Sequence, residues 1–318
     1  MTLDFDAVAC ALALLVALAI DCVFGEPAAR WHPVVWMGSF LKRMEPLLLR
    51  QPPWPPQTRD LKAFGLAALV WIAGAAIVFI AAMALQWAIF QLHGWLAALL
   101  LGVALKPMFA WRMLRSEVQA VEDALQTSLT AGRDRLAMLV SRDTAHLSES
   151  EVRESAIESL AENLSDSVVA PIFWFVLFGL PGAAIYRFAN TADAMWGYRG
   201  RWEWAGKWAA RADDVLSWVP ARLTAVLIWA VTRTFRLRTL RPEALRTPSP
   251  NSGWPMAAMA LTLGVGLRKP GVYALNAAGR APQALDTLLA LDVASKVVVA
   301  LAVLAPTAML LIATGVAR

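Results

Sequence analysis

Four long apolar runs constrain the fold of this chain more than any other feature. They cover residues 7–24, 63–90, 95–111 and 295–315. The third run is slightly short, and Lys106 near its end is expected to extend its ammonium to the membrane surface. About 20 apolar residues in a helix cross the hydrocarbon core of a bilayer, so each run predicts a transmembrane helix. The composition agrees, because 58% of the residues are hydrophobic and 17% are charged, against about a quarter charged in soluble domains. The sequence predicts an all-α polytopic integral membrane protein.

The rest of the chain divides into an amphipathic block and a region of interrupted apolar segments. Residues 112–166 carry apolar residues at helical spacing among many charges, which predicts a cytosolic helical insertion. Within it, Ser148 followed by Glu151 predicts a capping box that starts a helix at about Glu149. Residues 167–292 are predicted to form the site from broken helices and loops. Within them, two to three apolar stretches contain Pro, Gly or Arg: 168–186, 215–235 and 255–267. The first two could both cross the membrane, but we favour re-entrant or partly buried segments, because broken helices are tolerated at membrane depth only when protein or a cavity shields them.

Basic residues predict the orientation of the chain. The loop between the first two runs contains Lys42, Arg43, Arg50, Arg59 and Lys62, whereas the turn at 91–94 contains no basic residue. By the positive-inside rule, that loop and the block from residue 112 face the cytoplasm, and the N-terminus lies outside. The same loop contains QPPWPPQ at 51–57, which predicts a stiff extended connector.

An acidic row begins in the amphipathic block. Glu154, Glu158 and Glu162 recur every four residues, and Asp166 continues the row if the helix does. Four-residue spacing places side chains on one face of a helix. This pattern fits a solvated acidic face, and it also fits a Mg²⁺ site, because hard cations take carboxylate oxygens together with substrate phosphates.

Two further polar clusters border apolar segments. They are Asn190, Thr191 and Asp193 after one segment, and Arg211, Asp213 and Asp214 before the next. Asp or Asn at a helix start can serve as a cap, and capping explains some of these residues without any chemistry. Adjacent aspartates point in different directions on a helix, so Asp213 and Asp214 are expected to serve different partners.

Four isolated residues complete the candidates. Arg222 lies inside an apolar run, where it either forms a structural salt bridge or recognises an anion through its rigid guanidinium fork. His32 is either a hydrogen-bonded interface residue or a substrate contact. Ser249 and Asn251 lie in a Pro-rich loop just before a helix start, which suits a phosphate or carboxylate.

Several classes of function lack their sequence signatures. The chain has no GxxxxGK[ST] and no GxGxxG, so any nucleotide is bound without a P-loop or a dinucleotide fingerprint. It has no CxxC and no HExxH, so zinc chemistry has no support. The basic residues are spread over loops rather than along one face, so we expect no nucleic-acid partner.

Five co-linear stretches carry a resemblance to a known family. They are DCVFGEPAARWHPVVWMG, ESLAENLSDSVVAP, FANTADAMWGYR, ARADDVLSWVPARLTA and SPNSGWPMAAMALTLGV. They resemble, in order, the motifs of the CbiB/CobD family of integral membrane adenosylcobinamide-phosphate synthases of cobalamin biosynthesis. The resemblance extends from Asp21 to about Leu267 and therefore covers most of the chain.

The resemblance implies an ATP-dependent amide ligase that requires Mg²⁺. Its substrate would be adenosylcobyric acid, whose free carboxyl is joined to (R)-1-aminopropan-2-ol phosphate, to ethanolamine phosphate or to the free amino alcohol. A carboxylate is a poor acyl donor, so ATP would first convert it to an acyl phosphate. The implied products are adenosylcobinamide phosphate, ADP and phosphate.

With that chemistry in view, the polar residues receive expected roles. The catalytic set is Glu162, Asp166, Asp193, Asp213 and Asp214, with Asp214 as the base for the incoming ammonium. The metal ligands are expected among Glu158, Glu162, Asp166, Asp193 and Asp213. The substrate-binding set is His32, Asn163, Asn190, Thr191, Arg211, Arg222, Ser249 and Asn251. We expect the acidic helix, the two Asp-bearing loops and the Pro-Ser-Pro turn to converge on one cytosol-facing pocket.

The expected setting is the bacterial inner membrane, with several passes and the active site facing the cytoplasm. The expected partners are the corrinoid, the amino-alcohol phosphate and membrane lipid. The sequence leaves open a homo-oligomer and contacts with other membrane enzymes of late cobalamin synthesis.

Two positions depart from the family pattern, and two other functions remain open. Ser167 stands where the family usually has Gly, and Met256 stands where it usually has Glu, so a different amine substrate is one reading. One alternative is a non-catalytic relative similar to AmpE, a membrane protein linked to β-lactamase regulation. The other is a transporter, in which intramembrane Asp and Arg would line a path.

Overall fold

The computed structural model describes residues 5–49, 59–198 and 200–316. The connector predicted at 51–57 lies outside the described residues. The helices are α1 (Phe5–Phe24), α2 (Pro33–Leu48), α3 (Leu61–Phe90), α4 (Gly94–Leu105), α5 (Trp111–Thr127), α6 (Leu129–Ala137), α7 (Glu149–Leu164), α8 (Ala170–Trp196), α9 (Lys207–Thr232), α10 (Leu237–Ala244), α11 (Gly253–Leu263) and α12 (Ala284–Val316). Strands β1 (Leu267–Lys269) and β2 (Tyr273–Leu275) form an antiparallel hairpin.

Six helical stretches are long and apolar enough to cross a membrane, judged by length and composition alone. They are Asp6–Phe24, Leu61–Phe90, Gly94–Thr127, Glu149–Trp196, Lys207–Thr232 and Ala284–Gly315. This confirms the predicted all-α polytopic membrane fold. Two of the six contain the stretches expected to be broken, and α9 continues through Pro220 without ending. Length and composition allow these segments to span, and the choice between spanning and re-entrant segments stays a prediction.

Some predicted boundaries differ from the structure. The run predicted as one helix at 95–111 ends at Leu105, continues as a 3₁₀ turn at Lys106–Met108, and becomes helical again at Trp111. Pro107 explains the interruption, because proline lacks the N–H that an α-helix needs. The hairpin was not predicted at all. Its turn, Lys269 to Val272, contains Pro270 followed by Gly271 at φ +72°, the arrangement of a type II turn.

The chain divides into two compact units, which we describe separately. Unit 1 consists of the described residues of Met1–Phe109, Ala170–Leu216 and Leu304–Arg318, and unit 2 of Ala110–Val169 and Ser217–Val303. In unit 1, α1 packs on α4, and α8 packs on α2 and α3. In unit 2, α7 packs on α5, α6, α11 and β1.

Unit 1 contains a buried charge network that corrects one expectation. Lys106, expected to extend its ammonium to the membrane surface, is only 3% exposed. Its Nζ lies 2.9 Å from Oδ1 of Asp21 and 2.7 Å from Oε1 of Glu26. A buried charge is tolerated when it is paired and hydrogen-bonded. The carboxylates of Asp21 and Glu26 provide these partners for the buried ammonium of Lys106.

The network extends to His32, one of the predicted substrate contacts. His32 Nε2 lies 3.0 Å from Oε2 of Glu26, and its Nδ1 accepts the N–H of Val34 at the start of α2. Burial by itself raises the pKa of Glu26, but hydrogen bonds from His32 and Lys106 hold that pKa below its ordinary value. The carboxylate therefore stabilises the fold at neutral pH, and this contribution is lost as the pH falls through the lowered pKa. His32 thus has a structural role in this loop.

A kink in α8 depends on one glycine. Gly179 has φ 64° and ψ −155° inside the helix, a combination that is essentially confined to glycine. The kink frees the N–H of Leu180, which donates to Oε1 of Gln86 at 2.7 Å. A Cβ at Gly179 would collide with that same Gln86 side chain.

We expect Gly179→Ala to destabilise the protein by about 1–3 kcal/mol, because alanine is strained at this φ and ψ. Thermal unfolding in detergent measures the effect. Gly65→Ala is the matched control, because Gly65 lies in α3 where an added methyl group would meet open space, and helix interiors favour alanine. Equal unfolding temperatures for the two variants would contradict the strain argument.

Unit 2 is built around α7 and a second buried charge network. Ser148 and Glu151 form the predicted capping box at the start of α7. Arg153, in the first half of the helix, donates to both carboxylate oxygens of Glu122 on α5, with the shortest distance at 2.8 Å. Glu122 is fully buried and also accepts the hydroxyl of Thr287 on α12. This network ties three helices of the unit together.

Candidate functional site

The C-terminal end of α7 presents one open strip of polar side chains. Residues 152–172 are buried except for four, and these are Glu162, Asn163, Asp166 and Ser167. A π-helical turn at Ser165–Val169 follows α7, and such turns occur frequently at functional sites. The open strip therefore contains three predicted site residues, Glu162, Asn163 and Asp166.

The first half of the acidic row is paired with arginines of the same unit. Glu154 accepts the backbone N–H of Arg268 at 2.8 Å and its guanidinium at 3.2 Å. Glu158 lies 3.1 Å from Nη2 of Arg142. Both carboxylates are buried, so a cation partner is expected for each. Glu158, predicted to be a metal ligand, forms this ion pair, and its role as a ligand stays a prediction.

Asn163 is held in position along the strip by its neighbours on the helix. Its Nδ2 donates to the carbonyl of Ser159 at 3.0 Å, and the hydroxyl of Ser167 lies 3.5 Å from its Oδ1. Ser167, which replaces the glycine usual in the family motif, therefore adds a hydroxyl to the strip rather than removing a contact.

In unit 1, the two predicted Asp-bearing segments come together. Asn190 on α8 donates to Oδ1 of Asp213 on α9 at 3.4 Å. Asp193 and Asp214 lie close enough to repel each other electrostatically. A Cβ at Gly197 would collide with Oδ1 of Asp193, so the close approach of the chain requires glycine there. Asp213 thus lies next to Asn190, and Asp214 lies near Asp193.

The other residues predicted in these segments have different surroundings. The hydroxyl of Thr191 donates to the carbonyl of Arg187 within α8 at 2.7 Å, which is a local structural bond. Arg211 is exposed. Of this group, the structure brings together Asn190, Asp193, Asp213 and Asp214.

Arg222 in unit 2 holds the Pro-rich loop. Its guanidinium donates to the carbonyl of Trp218, to Oδ1 of Asn251 and to the carbonyl of Pro250, at 2.7, 3.0 and 3.2 Å. The guanidinium carbon lies 4.2 and 4.8 Å from the ring centroids of Trp218 and Trp254. The predicted salt bridge is not among the contacts described for Arg222. The guanidinium N–H groups of Arg222 instead hold Asn251 and Pro250 in place. Arg222 is therefore a positioning residue for the loop.

Ser249 organises the same loop. Its hydroxyl oxygen accepts the N–H groups of Asn251 and Ser252, each at 3.2 Å. These are the local side-chain-to-backbone bonds that stabilise tight turns. Ser249 and Asn251 are therefore both held next to the start of α11. The sequence predicted this position for them, in a loop just before a helix start.

A cavity of about 660 Å³ lies in unit 2, where the hairpin meets the start of α7. Its charged and hydroxyl-bearing walls include Ser148, Ser150, Glu151, Glu154, Arg268 and Lys269. Sequence reasoning missed this cavity. The Lys-Pro-Gly-Val turn signals the hairpin, but no local pattern places that turn against α7.

Tyr273 also lines the cavity and faces Met256, the second position that departs from the family motif. Its hydroxyl lies 3.9 Å from Sδ of Met256. Burial, and then the nearby Glu158 carboxylate, raise the pKa of Tyr273. Its phenol is therefore a hydrogen-bond donor at neutral pH.

Among the described residues, no group of three or more His, Cys, Asp or Glu is arranged to hold a metal ion. A Mg²⁺ ion bound with a nucleotide needs fewer, because it takes one or two carboxylates plus phosphates and waters. Asp193 and Asp214 fit this requirement as neighbouring carboxylates, and the described residues provide no ion-pair partner for Asp193. Glu162 and Asp166 supply a second pair. Convergence of all the predicted pieces on one pocket stays a prediction.

Comparisons with known proteins agree with the motifs. The family model described as CobD/Cbib protein matches residues 14–307. A "Probable cobalamin biosynthesis protein CobD" of Thermococcus kodakarensis is 42% identical over 95% of this chain and 96% of the relative. A relative of the same name from Methanothermobacter thermautotrophicus is 39% identical over 83% and 86%. A "Cobalamin biosynthesis protein CobD" of Rhodobacter capsulatus is 37% identical over 82% of each chain. No solved structure matches the chain significantly. The match over most of its length shows that this chain is a member of the CobD/Cbib protein family.

Proposed function

We propose that this protein acts in cobalamin biosynthesis as an ATP-dependent amide ligase. It would join adenosylcobyric acid to (R)-1-aminopropan-2-ol phosphate or a closely related amino alcohol, giving adenosylcobinamide phosphate, ADP and phosphate. Family membership supports the pathway. The observation that supports the ligase chemistry is the pair of neighbouring carboxylates, Asp193 and Asp214. Among the residues that the structure describes, no ion pair is found for Asp193.

The carboxylates suit a reaction between polyanions. The corrinoid carboxylate attacks the terminal phosphorus of ATP, which forms an acyl phosphate and releases ADP. Mg²⁺, when bound, would neutralise the nucleotide phosphates, and in this proposal the pair Asp193 and Asp214 or the pair Glu162 and Asp166 holds it. Because Asp214 lies near Asp193, we also propose Asp214 as a metal ligand beside its expected role as a base.

The second half of the reaction needs a proton acceptor. The ammonium of the amino alcohol must lose a proton before its nitrogen attacks the acyl carbon and expels phosphate. In this proposal a carboxylate next to the bound amine accepts that proton. Asn163 on the strip and Asn251 on the loop supply neutral hydrogen-bonding groups, which suit the amide side chains of a corrinoid.

The mixed-charge cavity of unit 2 suits the amino-alcohol phosphate. Lys269 and the guanidinium of Arg268 supply positive charge for a phosphate, and the first turn of α7 adds its N-terminal dipole. Glu151 and Glu154 supply negative charge for an ammonium. A small molecule with one charged group of each kind matches this lining better than a purely anionic or purely cationic one.

The proposed activity is tested with the full-length protein purified in lipid nanodiscs. The protein is incubated with adenosylcobyric acid, the amino-alcohol phosphate and Mg-ATP, and product and ADP are measured together. We expect amide product and ADP in equal amounts. When the amine is left out of the reaction, we expect no steady-state formation of either product. Binding of the corrinoid without turnover would overturn the ligase assignment.

Lys269→Ala tests the assignment of the cavity. We expect the KM for the phosphorylated amino alcohol to rise about tenfold, the effect of losing one hydrogen bond to a charged group, while the KM for the unphosphorylated amine changes little. Lys296→Ala is the control, because Lys296 is an exposed lysine paired with Asp292. An equal change for both amines would show that Lys269 does not contact the phosphate.

A further inference from the structure

The segment between the first two apolar helices lies at a membrane boundary. The span that ends at Phe24 has 19 residues, which at about 1.5 Å per residue is close to the roughly 30 Å thickness of the hydrocarbon core. The next apolar span begins at Leu61. Between them, α2 has 16 residues and is not one of the six apolar stretches. Helix α2 therefore begins at Pro33, shortly after the span that ends at Phe24.

Large apolar side chains on this segment are exposed. Phe24 is 78% exposed, Trp31 is 65% exposed and Trp36 is 54% exposed. Tryptophan is enriched where the bilayer meets water, because its ring is apolar and its N–H is polar. Membrane lipid at the headgroup level would cover these rings without removing the polar groups beside them from water.

The tryptophans are held in a fixed arrangement. Nε1 of Trp36 donates to the carbonyl of Arg30 at 3.0 Å, and the guanidinium carbon of Arg30 lies 5.8 Å from the ring centroid of Trp31. Nδ1 of His32 caps the start of α2 by accepting the N–H of Val34. On its other face, α2 packs in unit 1, where Gly38 approaches Sδ of Met195 on α8. The exposed face is thus presented by a rigid element.

Basic side chains of the same segment are also exposed. Arg30, Lys42 and Arg43 are exposed, and the described residues provide no ion-pair partner for any of them. Each basic residue near an anionic bilayer surface contributes to attraction between the two. Exposed aromatic rings and exposed basic side chains on one segment fit lipid headgroups that carry a negative charge.

We propose that Arg30, Trp31, Trp36, Lys42 and Arg43 form a binding surface for anionic phospholipid headgroups. We call it the α2 surface. The cations pair with headgroup phosphates, and the tryptophan rings insert beside the acyl ester groups. This proposal does not rest on the proposed catalytic function.

Native mass spectrometry of the full-length protein in detergent tests the α2 surface. The protein is titrated with phosphatidylglycerol and, separately, with phosphatidylcholine of the same acyl chains. We expect phosphatidylglycerol to bind at least about tenfold more tightly, the effect of several basic residues near anionic lipid. Equal affinity for the two lipids would overturn the proposal.

Charge-removing variants locate the effect. The triple variant Arg30→Gln/Lys42→Gln/Arg43→Gln is expected to lose most of the preference for phosphatidylglycerol. The control with the same change in net charge is Arg236→Gln/Arg238→Gln/Arg241→Gln, at three exposed positions of unit 2, and it should keep the preference. If both triple variants lose it equally, the attraction is a property of net charge and the α2 surface is not a site. The single variant Arg43→Gln gives a partial loss and serves as the test if the triple variant unfolds.

Discussion

Asp193→Asn is expected to lower the rate of amide formation at least about 100-fold at a fixed concentration of Mg²⁺. Asparagine has nearly the size of aspartate, so the change removes a negative charge and leaves the packing in place. Initial rates as a function of free Mg²⁺ measure the effect. The variant should reach half of its remaining maximal rate only at a higher Mg²⁺ concentration than wild type. Asp292→Asn is the control, because Asp292 is an exposed aspartate paired with Lys296.

The same variant has a second expected effect that does not depend on turnover. Asp193 and Asp214 repel each other in the protein without metal, so Asp193→Asn should unfold at the same or a higher temperature than wild type in EDTA. Mg²⁺ with ATP should raise the unfolding temperature of wild type by mass action and raise that of the variant much less. A variant that responds to Mg-ATP like wild type, or retains activity within threefold, would remove Asp193 from the metal site.

Local sequence patterns predicted the parts of this fold that depend on local physics. The apolar runs specify helices of spanning length, and Ser148 with Glu151 forms the predicted capping box, because a cap involves residues three apart. The row of carboxylates on α7 also followed from helical spacing. Each of these features needs only a few neighbouring residues to be recognised.

The missed features are contacts between residues far apart in the chain. Lys106 pairs with Asp21 and Glu26, which lie far earlier in the chain. The sequence around Lys106 alone predicts an ammonium at the membrane surface. The pair between Glu154 and Arg268 was missed for the same reason, because its two residues are far apart in the chain. Periodicity shows which face of a helix carries a carboxylate, but the cation that neutralises it comes from tertiary packing, so the choice between an ion pair and a metal site requires the structure.

Arg153→Met is expected to cost about 3–5 kcal/mol of stability, because it leaves the carboxylate of Glu122 buried without its cation. Glu122 is fully buried, and after the substitution the hydroxyl of Thr287 is the partner described for it. Arg153 also contacts Glu149 at the exposed end of α7, but an exposed ion pair contributes little. Chemical unfolding in detergent micelles, followed by tryptophan fluorescence, measures the loss.

The double variant Glu122→Gln/Arg153→Met distinguishes an unpaired charge from lost packing. Glutamine keeps a carbonyl oxygen that can accept the Thr287 hydroxyl, and methionine fills much of the space of the arginine stem without a charge. Replacing both partners of a buried ion pair with neutral groups is often close to neutral for stability, so the double variant should recover most of what Arg153→Met loses. If the double variant is as unstable as the single one, the arginine stabilises unit 2 through packing, and the charge network among α5, α7 and α12 is not what holds them together.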